Sequence, residues 1–291
     1  METLHLVDGG TLEFCQSGPQ DAETLLVLHV GSPCAAVVVP NITSAAADRG
    51  VRTVSYSRPG YGGSTRRMGR TEAYEAENTA SLADHLGAST FLVAGWSGGG
   101  PPALACAALL PERVRSCAVL AGSSPPAEVG EVWFDWWSDE DREELRALGT
   151  SPPDPFIKVY EEAAVPLRTI TSLGLAEWPE GPDQDRETLE RSPELAGAIA
   201  DSMRRAVARG VDGWIDDSVA VSRPWGFTVS DIGVPVTIRH GEIDRLVQVD
   251  HGTWLAEHIP GARAQILPDH GHVSIAEPFD EVMDALLETA R

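Results

Sequence analysis

Gly95-Trp96-Ser97-Gly98-Gly99 places one serine between glycines two positions away on either side. An apolar run, Phe91-Leu92-Val93-Ala94, precedes it, and a helix-like run from Ala103 to Leu110 follows. A strand, a sharp turn and a helix in that order would lift the serine hydroxyl onto a strained turn as a nucleophile. Gly95 and Gly99 remove the side chains that would clash there. The helix start behind the serine would present unpaired N–H groups and a positive dipole end to an oxyanion formed beside it.

A serine hydroxyl is unreactive at neutral pH without an adjacent base. Among the histidines, His272 is the candidate. It sits in Asp269-His270-Gly271-His272, directly after the last strand-like run. Loops at the carboxyl ends of parallel strands are where such sheets place their sites. His270 is the rival, but Gly271 gives His272 the tighter approach. His85 reads as a helix end, His251 and His258 as residues of a surface-type helix, and His5 as a terminal residue. An acid is needed to orient and stabilise the imidazolium. Asp244, in His240-Gly241-Glu242-Ile243-Asp244-Arg245, follows another strand-like run. Glu242 is the near alternative, and an ion pair with Arg245 is the purely structural reading of Asp244. The corner Gly122-Ser123-Ser124 after the preceding strand offers no acid. Oxyanion donors are expected from the N–H of Gly98 and, in His29-Val30-Gly31-Ser32-Pro33, from that of Ser32. Gly31 permits the turn, and Pro33 has no N–H to give.

These residues need a scaffold. Two β-like runs, Thr3–Val7 and Thr11–Ser17, flank a hairpin signal at Asp8-Gly9-Gly10. Strands are then expected at Leu25–Val30, Val51–Ser55, Thr90–Ala94 and Arg115–Leu120. Helices are expected at Ala45–Arg49 and from a Thr71 cap to Leu86. Continuous apolar strands separated by helices predict an α/β protein, with a mostly parallel central sheet covered by helices on both faces. From Ala127 to Trp225 the strands stop. Helical segments are expected at Glu131–Leu148, Phe156–Ser172, Glu187–Arg209 and Trp214–Ser222, punctuated by Pro152-Pro153, Pro155, Trp178-Pro179 and Gly181-Pro182. The strand–helix rhythm resumes at Val234–Arg239, Val249–His258, Ala264–Leu267 and Ile275–Thr289. The expected organisation is an α/β core over 1–124 and 229–291, interrupted by an inserted helical cap over 125–228.

Composition narrows the setting. A chain of 291 residues can bury a full core without disulfides or metal. Cys15, Cys34, Cys106 and Cys117 are scattered, with no metal-ligand spacing, and read as reduced thiols. Met1-Glu2-Thr3-Leu4-His5 shows no basic stretch leading into an apolar one, and no apolar run is long enough to span a bilayer. The expectation is a cytoplasmic protein. A formal net charge of −22 disfavours nucleic acid and anionic membranes as partners. A small-molecule substrate is expected, no cofactor or metal is implied, and a homo-oligomer is compatible with the sequence.

Five segments together resemble the α/β-hydrolase superfamily, in particular its capped serine hydrolases. They are Leu28–Pro33, Ser57-Arg58-Pro59-Gly60-Tyr61-Gly62-Gly63-Ser64, Gly95–Gly100, His240–Asp244 and Asp269–His272. The resemblance implies an α/β-hydrolase fold, a triad of Ser97, Asp244 and His272, and an oxyanion hole of Gly98 and Ser32. Val30 stands where the family commonly has Gly or His, and Ser57 replaces a common Asp. Members with an aspartate nucleophile are excluded by Ser97. The implied activity is hydrolysis of a small ester, lactone or related acyl compound through an acyl-enzyme. The alternatives are a proline-iminopeptidase-like exopeptidase, or a non-hydrolytic biosynthetic enzyme or ligand binder of this fold. His29, Trp96, Trp133 and Trp137 are candidate pocket residues, with Phe134 and Trp136 nearby. Glu128, Glu131, Asp135 and Asp139 would suit a substrate amine, or form a solvated acidic surface.

Overall fold

The computed structural model describes residues 1–150, 153–177 and 181–290. Pro152 and the Trp178-Pro179 pair, expected as helix punctuation, lie outside the described residues. Eight strands form one sheet: β1 (Glu2–His5), β2 (Thr11–Ser17), β3 (Thr24–His29), β4 (Val51–Tyr56), β5 (Phe91–Trp96), β6 (Val114–Leu120), β7 (Val236–Gly241) and β8 (Arg263–Leu267). Their order is β1-β2-β4-β3-β5-β6-β7-β8. The β1–β2 and β2–β4 pairs are antiparallel, and every pair from β3 to β8 is parallel. The hairpin turns at Gly9, with φ of 86°.

Strand periodicity divides the core into two layers. Leu26, Leu28, Leu92 and Ala94 face one apolar cluster, with Ile42 and Met283. Leu25, Val27, Phe91 and Val93 face the other, with Leu82 and Leu104. Burial on both faces explains why β3 and β5 read as unbroken apolar runs. The covering helices are α1 (Pro40–Ala47), α2 (Tyr74–His85), α3 (Gly100–Leu109), α11 (Val249–His258) and α12 (Asp280–Thr289). Helix α2 begins at Tyr74, after Thr71, and has no side-chain cap. Helix α12 begins after Pro278, because a 3₁₀ turn at Ser274–Ala276 occupies the start of the expected span.

Between β6 and β7 the described chain is helical. It contains α4 (Pro126–Val129), a 3₁₀ turn (Glu131–Trp136), α5 (Asp139–Thr150), α6 (Ile157–Leu167), α7 (Ser172–Ala176), α8 (Asp183–Arg191), α9 (Pro193–Ala206) and α10 (Asp212–Val221). Several expected long helices are broken. Pro193 lacks the N–H that would continue α8 and starts α9 instead. Ser138 ends the aromatic 3₁₀ stretch and accepts the Asp141 N–H at 3.1 Å, starting α5.

This excursion is fixed to the sheet by apolar and polar contacts. Leu195 and Ile215 join the core cluster of β3 and β5. A Cβ on Gly60 would lie 2.8 Å from the Gly213 Cα, so the loop after β4 and α10 touch backbone to backbone. Ser202 Oγ donates to Ala35 O at 2.6 Å. At the centre Asp217 of α10 takes a 2.5 Å bond from Arg58 and is paired with Arg70. The Tyr61 hydroxyl also donates to it, at 2.9 Å. Burial alone would raise the Asp217 carboxyl pKa, but the two guanidiniums hold it well below the carboxylate range. All four cysteines are free and buried. No helix among the described residues is long and apolar enough to cross a membrane.

Truncating Asp217 leaves two buried guanidiniums without their shared carboxylate. Asp217→Ala should cost about 3–5 kcal/mol in unfolding free energy, measured by urea denaturation. A midpoint within error of the wild type would show that the cluster contributes nothing to stability.

Candidate active site

Ser97 occupies the turn between β5 and α3 with φ of 58°, one of two non-glycine residues at positive φ among the described residues. L-residues avoid this region, so the turn must be held by its surroundings. A Cβ on Gly95 would lie 2.6 Å from the Gly99 carbonyl carbon, and one on Gly99 would lie 2.5 Å from the His29 carbonyl carbon. Neither position can carry a side chain without moving the backbone. A Cβ on Gly31 would come within 3.1 Å of the Ser97 Cβ, so the loop after β3 passes directly beside the serine.

That loop brings Ser32 to Gly98. A Cβ on Gly98 would lie 3.1 Å from the Ser32 nitrogen. The Ser32 N–H has no protein acceptor among the described residues. Gly98 is second in the 3₁₀ turn (Ser97–Gly99), where N–H groups lack an intrahelical acceptor. The Ser32 hydroxyl itself is engaged. It donates to Asp217 and accepts from Arg58 Nη2 at 2.7 Å. Arg58 also donates to the carbonyls of Val30 and Gly31, so the whole loop is pinned from below.

His272 and Asp244 meet at the carboxyl ends of β7 and β8. The His272 Nδ1–H donates to Asp244 Oδ2 at 2.8 Å. Asp244 Oδ1 accepts the N–H groups of Leu246 and Val247 at 2.9 and 3.0 Å. The carboxylate is therefore held by its own loop and turned to the imidazole rather than to Arg245. With the proton on Nδ1, His272 Nε2 is left as the acceptor. Burial would lower the His272 pKa, but the charge and hydrogen bond of Asp244, with a further contribution from Asp185, raise it above its ordinary value. Burial would raise Asp244, and His272 holds it below the usual range. Ser97 Oγ makes no hydrogen bond to the imidazole in this structure. The two are linked through Trp96, whose indole N–H donates to His272 O at 2.9 Å and whose ring stacks on His272.

The alternatives weighed from sequence lie elsewhere. The His270 Nδ1–H donates to Ser274 O at 3.0 Å, and Glu242 is exposed. His29 does not join the serine: its ring packs in the core against Tyr56 and lies near Thr79 and Cys106. Burial lowers its pKa to about 3. Trp133 is fully buried and donates to Ser124 O at 2.6 Å. Trp137 packs on Trp133 and His251. The expectation that His251 lies on a surface-type helix is overturned, since it is 0% exposed. Rings of Trp133, Trp136 and Trp137 surround it at centroid distances of 5.7, 5.2 and 4.9 Å. Helix α11 turns that face inward beneath the aromatic 3₁₀ stretch. Of the acids weighed for a substrate amine, Glu131 pairs with Arg146, and Asp135 and Asp139 with Arg142. Glu128 accepts the Val229 N–H.

Three residues beside the triad candidates, one of them the candidate pocket residue Trp96, make contacts that local sequence did not assign. Trp96 holds the His272 carbonyl. His240, whose Nε2–H donates to Val247 O at 2.8 Å, lies 3.6 Å from Asp244 Oδ2. Its position one residue before Gly241 at the strand end was the available signal. Asp185 of α8 accepts the His272 N–H at 2.8 Å, across 87 residues of sequence, and nothing in its acidic surroundings distinguishes it. Among the described residues no His, Cys, Asp or Glu cluster is arranged to hold a metal.

The sequence profile of the alpha/beta hydrolase fold matches residues 24–279. An uncharacterized hydrolase, YcgS, of Bacillus subtilis (strain 168) is 26% identical over 272 residues, covering 91% of this chain and 89% of that protein. A pimeloyl-[acyl-carrier protein] methyl ester esterase of Aromatoleum aromaticum is 27% identical over 239 residues, covering 79% and 84%. Among solved structures, the enol-lactonase from Burkholderia xenovorans LB400 superposes with a TM-score of 0.68 at 19% identity, covering 99% of both chains. A thermophilic esterase from Thermogutta terrifontis gives 0.69 at 19% identity, covering 99% of this chain and 97% of that one. The structural likenesses speak for the fold, and the profile spans from β3 to Phe279, enclosing every candidate catalytic residue. This chain belongs to the α/β-hydrolase fold family.

Proposed function

We propose that this protein is a serine hydrolase that cleaves a small carboxylic ester, lactone or related acyl compound through Ser97, His272 and Asp244. The observation that carries the reading is the 2.8 Å bond from His272 to Asp244, set on the same sheet ends as a serine at φ of 58°. Relatives named as a methyl ester esterase and an enol-lactonase favour an oxygen ester over an amide. The helical excursion between β6 and β7 would serve as the cap over a small-molecule substrate.

Ser97 Oγ attacks the carbonyl carbon while His272 Nε2 takes its proton. Asp244 keeps the other imidazole proton on Nδ1 and stabilises the imidazolium. The Ser32 and Gly98 N–H groups bind the oxyanion, where loss of one such donor costs about 3–4 kcal/mol of barrier. The imidazolium then protonates the leaving oxygen, and the acyl-enzyme is released by a water that His272 deprotonates.

Ser97→Ala should lower kcat on aryl esters and lactones by a factor on the order of 10⁶, and Asp244→Asn by about 10⁴. Both should leave the circular dichroism spectrum unchanged, and retained turnover by the serine variant would reject the assignment. His272 must be neutral to act as base, and the charge and hydrogen bond of Asp244, with Asp185, hold its pKa above that of a free imidazole. The acidic limb of kcat/KM should therefore rise with pH through a midpoint above that of a free imidazole. A midpoint below it would show that burial outweighs the carboxylates and would overturn this expectation.

A further inference from the structure

The loop that carries His272 makes few backbone hydrogen bonds of its own. It leaves β8 at Leu267 and enters the 3₁₀ turn at Ser274. Between them the His270 N–H donates to Leu267 O at 3.4 Å, and several other polar backbone groups are met by side chains. Ser274 Oγ accepts the Gly271 N–H at 2.8 Å. The Trp96 indole donates to His272 O. The N–H groups of His272 and Ser274 both donate to one carboxylate. Asp185 Oδ2 takes the first at 2.8 Å and Asp185 Oδ1 takes the second at 2.8 Å.

Asp185 belongs to the helical excursion, not to the sheet. It sits in the first turn of α8, where a carboxylate could simply face its own helix start. Instead both oxygens are turned to the histidine loop, and the residue is 4% exposed. The fit is close. A Cβ on Gly271 would lie 2.6 Å from Asp185 Oδ2 and 2.7 Å from Oδ1, so glycine is what admits the carboxylate. The bidentate grip fixes the backbone on both sides of Val273. Together with the Trp96 bond it fixes both polar backbone groups of His272. The direction of the imidazole is then determined by two anchors, Asp244 on the ring and Asp185 on the backbone.

We propose that Asp185 is a positioning residue of the catalytic centre, through which the segment between β6 and β7 holds His272 in line with Ser97. The claim rests on the reading of His272 as the base. It makes docking of α8 a condition of catalytic competence, since withdrawal of α8 would free the His272 and Ser274 amides together. Asparagine cannot replace the carboxylate here. Its amide offers one acceptor and would set an N–H donor against the second backbone N–H.

The test compares wild type with Asp185→Asn and Asp185→Ala by two independent measurements. The first is amide hydrogen exchange. Exchange at His272 and Ser274 should accelerate at least tenfold in both variants, while Val93 in the centre of β5 keeps its protection. The second is ester or lactone turnover. The kcat should fall at least tenfold with KM within about twofold. The acidic midpoint of kcat/KM should also move to lower pH, because one of the negative groups facing His272 is gone; Asp244 remains, with the neutral His240 beside it. Should Asp185→Ala fail to fold, the isosteric Asp185→Asn carries both measurements. Unchanged amide exchange, or a kcat within twofold of wild type and an unmoved midpoint, overturns the proposal. Failure of the hydrolase reading looks different: the wild type would then resist a fluorophosphonate at Ser97, while hydrogen exchange still decides whether Asp185 holds the loop.

Discussion

Two backbone approaches with no room for a side chain hold the candidate site together. One lies between Gly95 and the carbonyl of Gly99, the other between Gly99 and the carbonyl of His29. Because these atoms meet directly, the turn after β5 is clamped against the neighbouring end of β3. Ser97 stays in a backbone region that a free chain would leave. The same closeness brings Gly31 against the serine and Ser32 against Gly98. The proposed nucleophile and oxyanion donors are therefore positioned by one packing event, made possible by missing Cβ atoms at Gly95 in β5 and Gly99 in the turn after it.

The second layer of organisation is electrostatic and comes from the helical excursion. Asp217 of α10 gathers Arg58, Arg70 and Tyr61 beneath the loop after β3, and through Arg58 it fixes the carbonyls of Val30 and Gly31. Asp185 of α8 grips the loop after β8. The loop after β3, which passes beside Ser97, and the loop after β8 are thus each held by a buried carboxylate supplied from between β6 and β7. Buried charges are costly when incompletely paired, so this arrangement favours one docked geometry over partly displaced ones. The segment is part of the framework that shapes the site.

Much of this could be read before any coordinates. The strand–turn–helix around Ser97, the post-strand positions of Asp244 and His272, and the glycine that lets His272 be approached are all local patterns, and local patterns survive folding. What escaped was long-range. Asp185 and Asp217 lie among many acids in a chain with 44 acidic and 22 basic residues, and sequence spacing does not reveal which carboxylates turn inward. His251 was misread because helix α11 looks polar, yet an aromatic stretch more than a hundred residues earlier folds over it. His29 adjoins the loop that carries Ser32, but the alternation of a strand sends its ring to the opposite layer. The helix breaks at Ser138 and Pro193 were visible as residue types but were outweighed by the surrounding helical periodicity.

The buried cysteines carry a consequence of their own. Burial pushes the thiols of Cys15 and Cys34 up to about 11 and that of Cys106 to about 12, and raises Cys117 as well. Thiolate is the reactive form, so in the folded protein these sulfurs are both inaccessible and chemically quiet. Uptake of an alkylating reagent then tracks the population of molecules that have opened. The chain carries a built-in clock for its own conformational turnover, distributed over β2, the loop after β3, α3 and β6, with no label to be introduced.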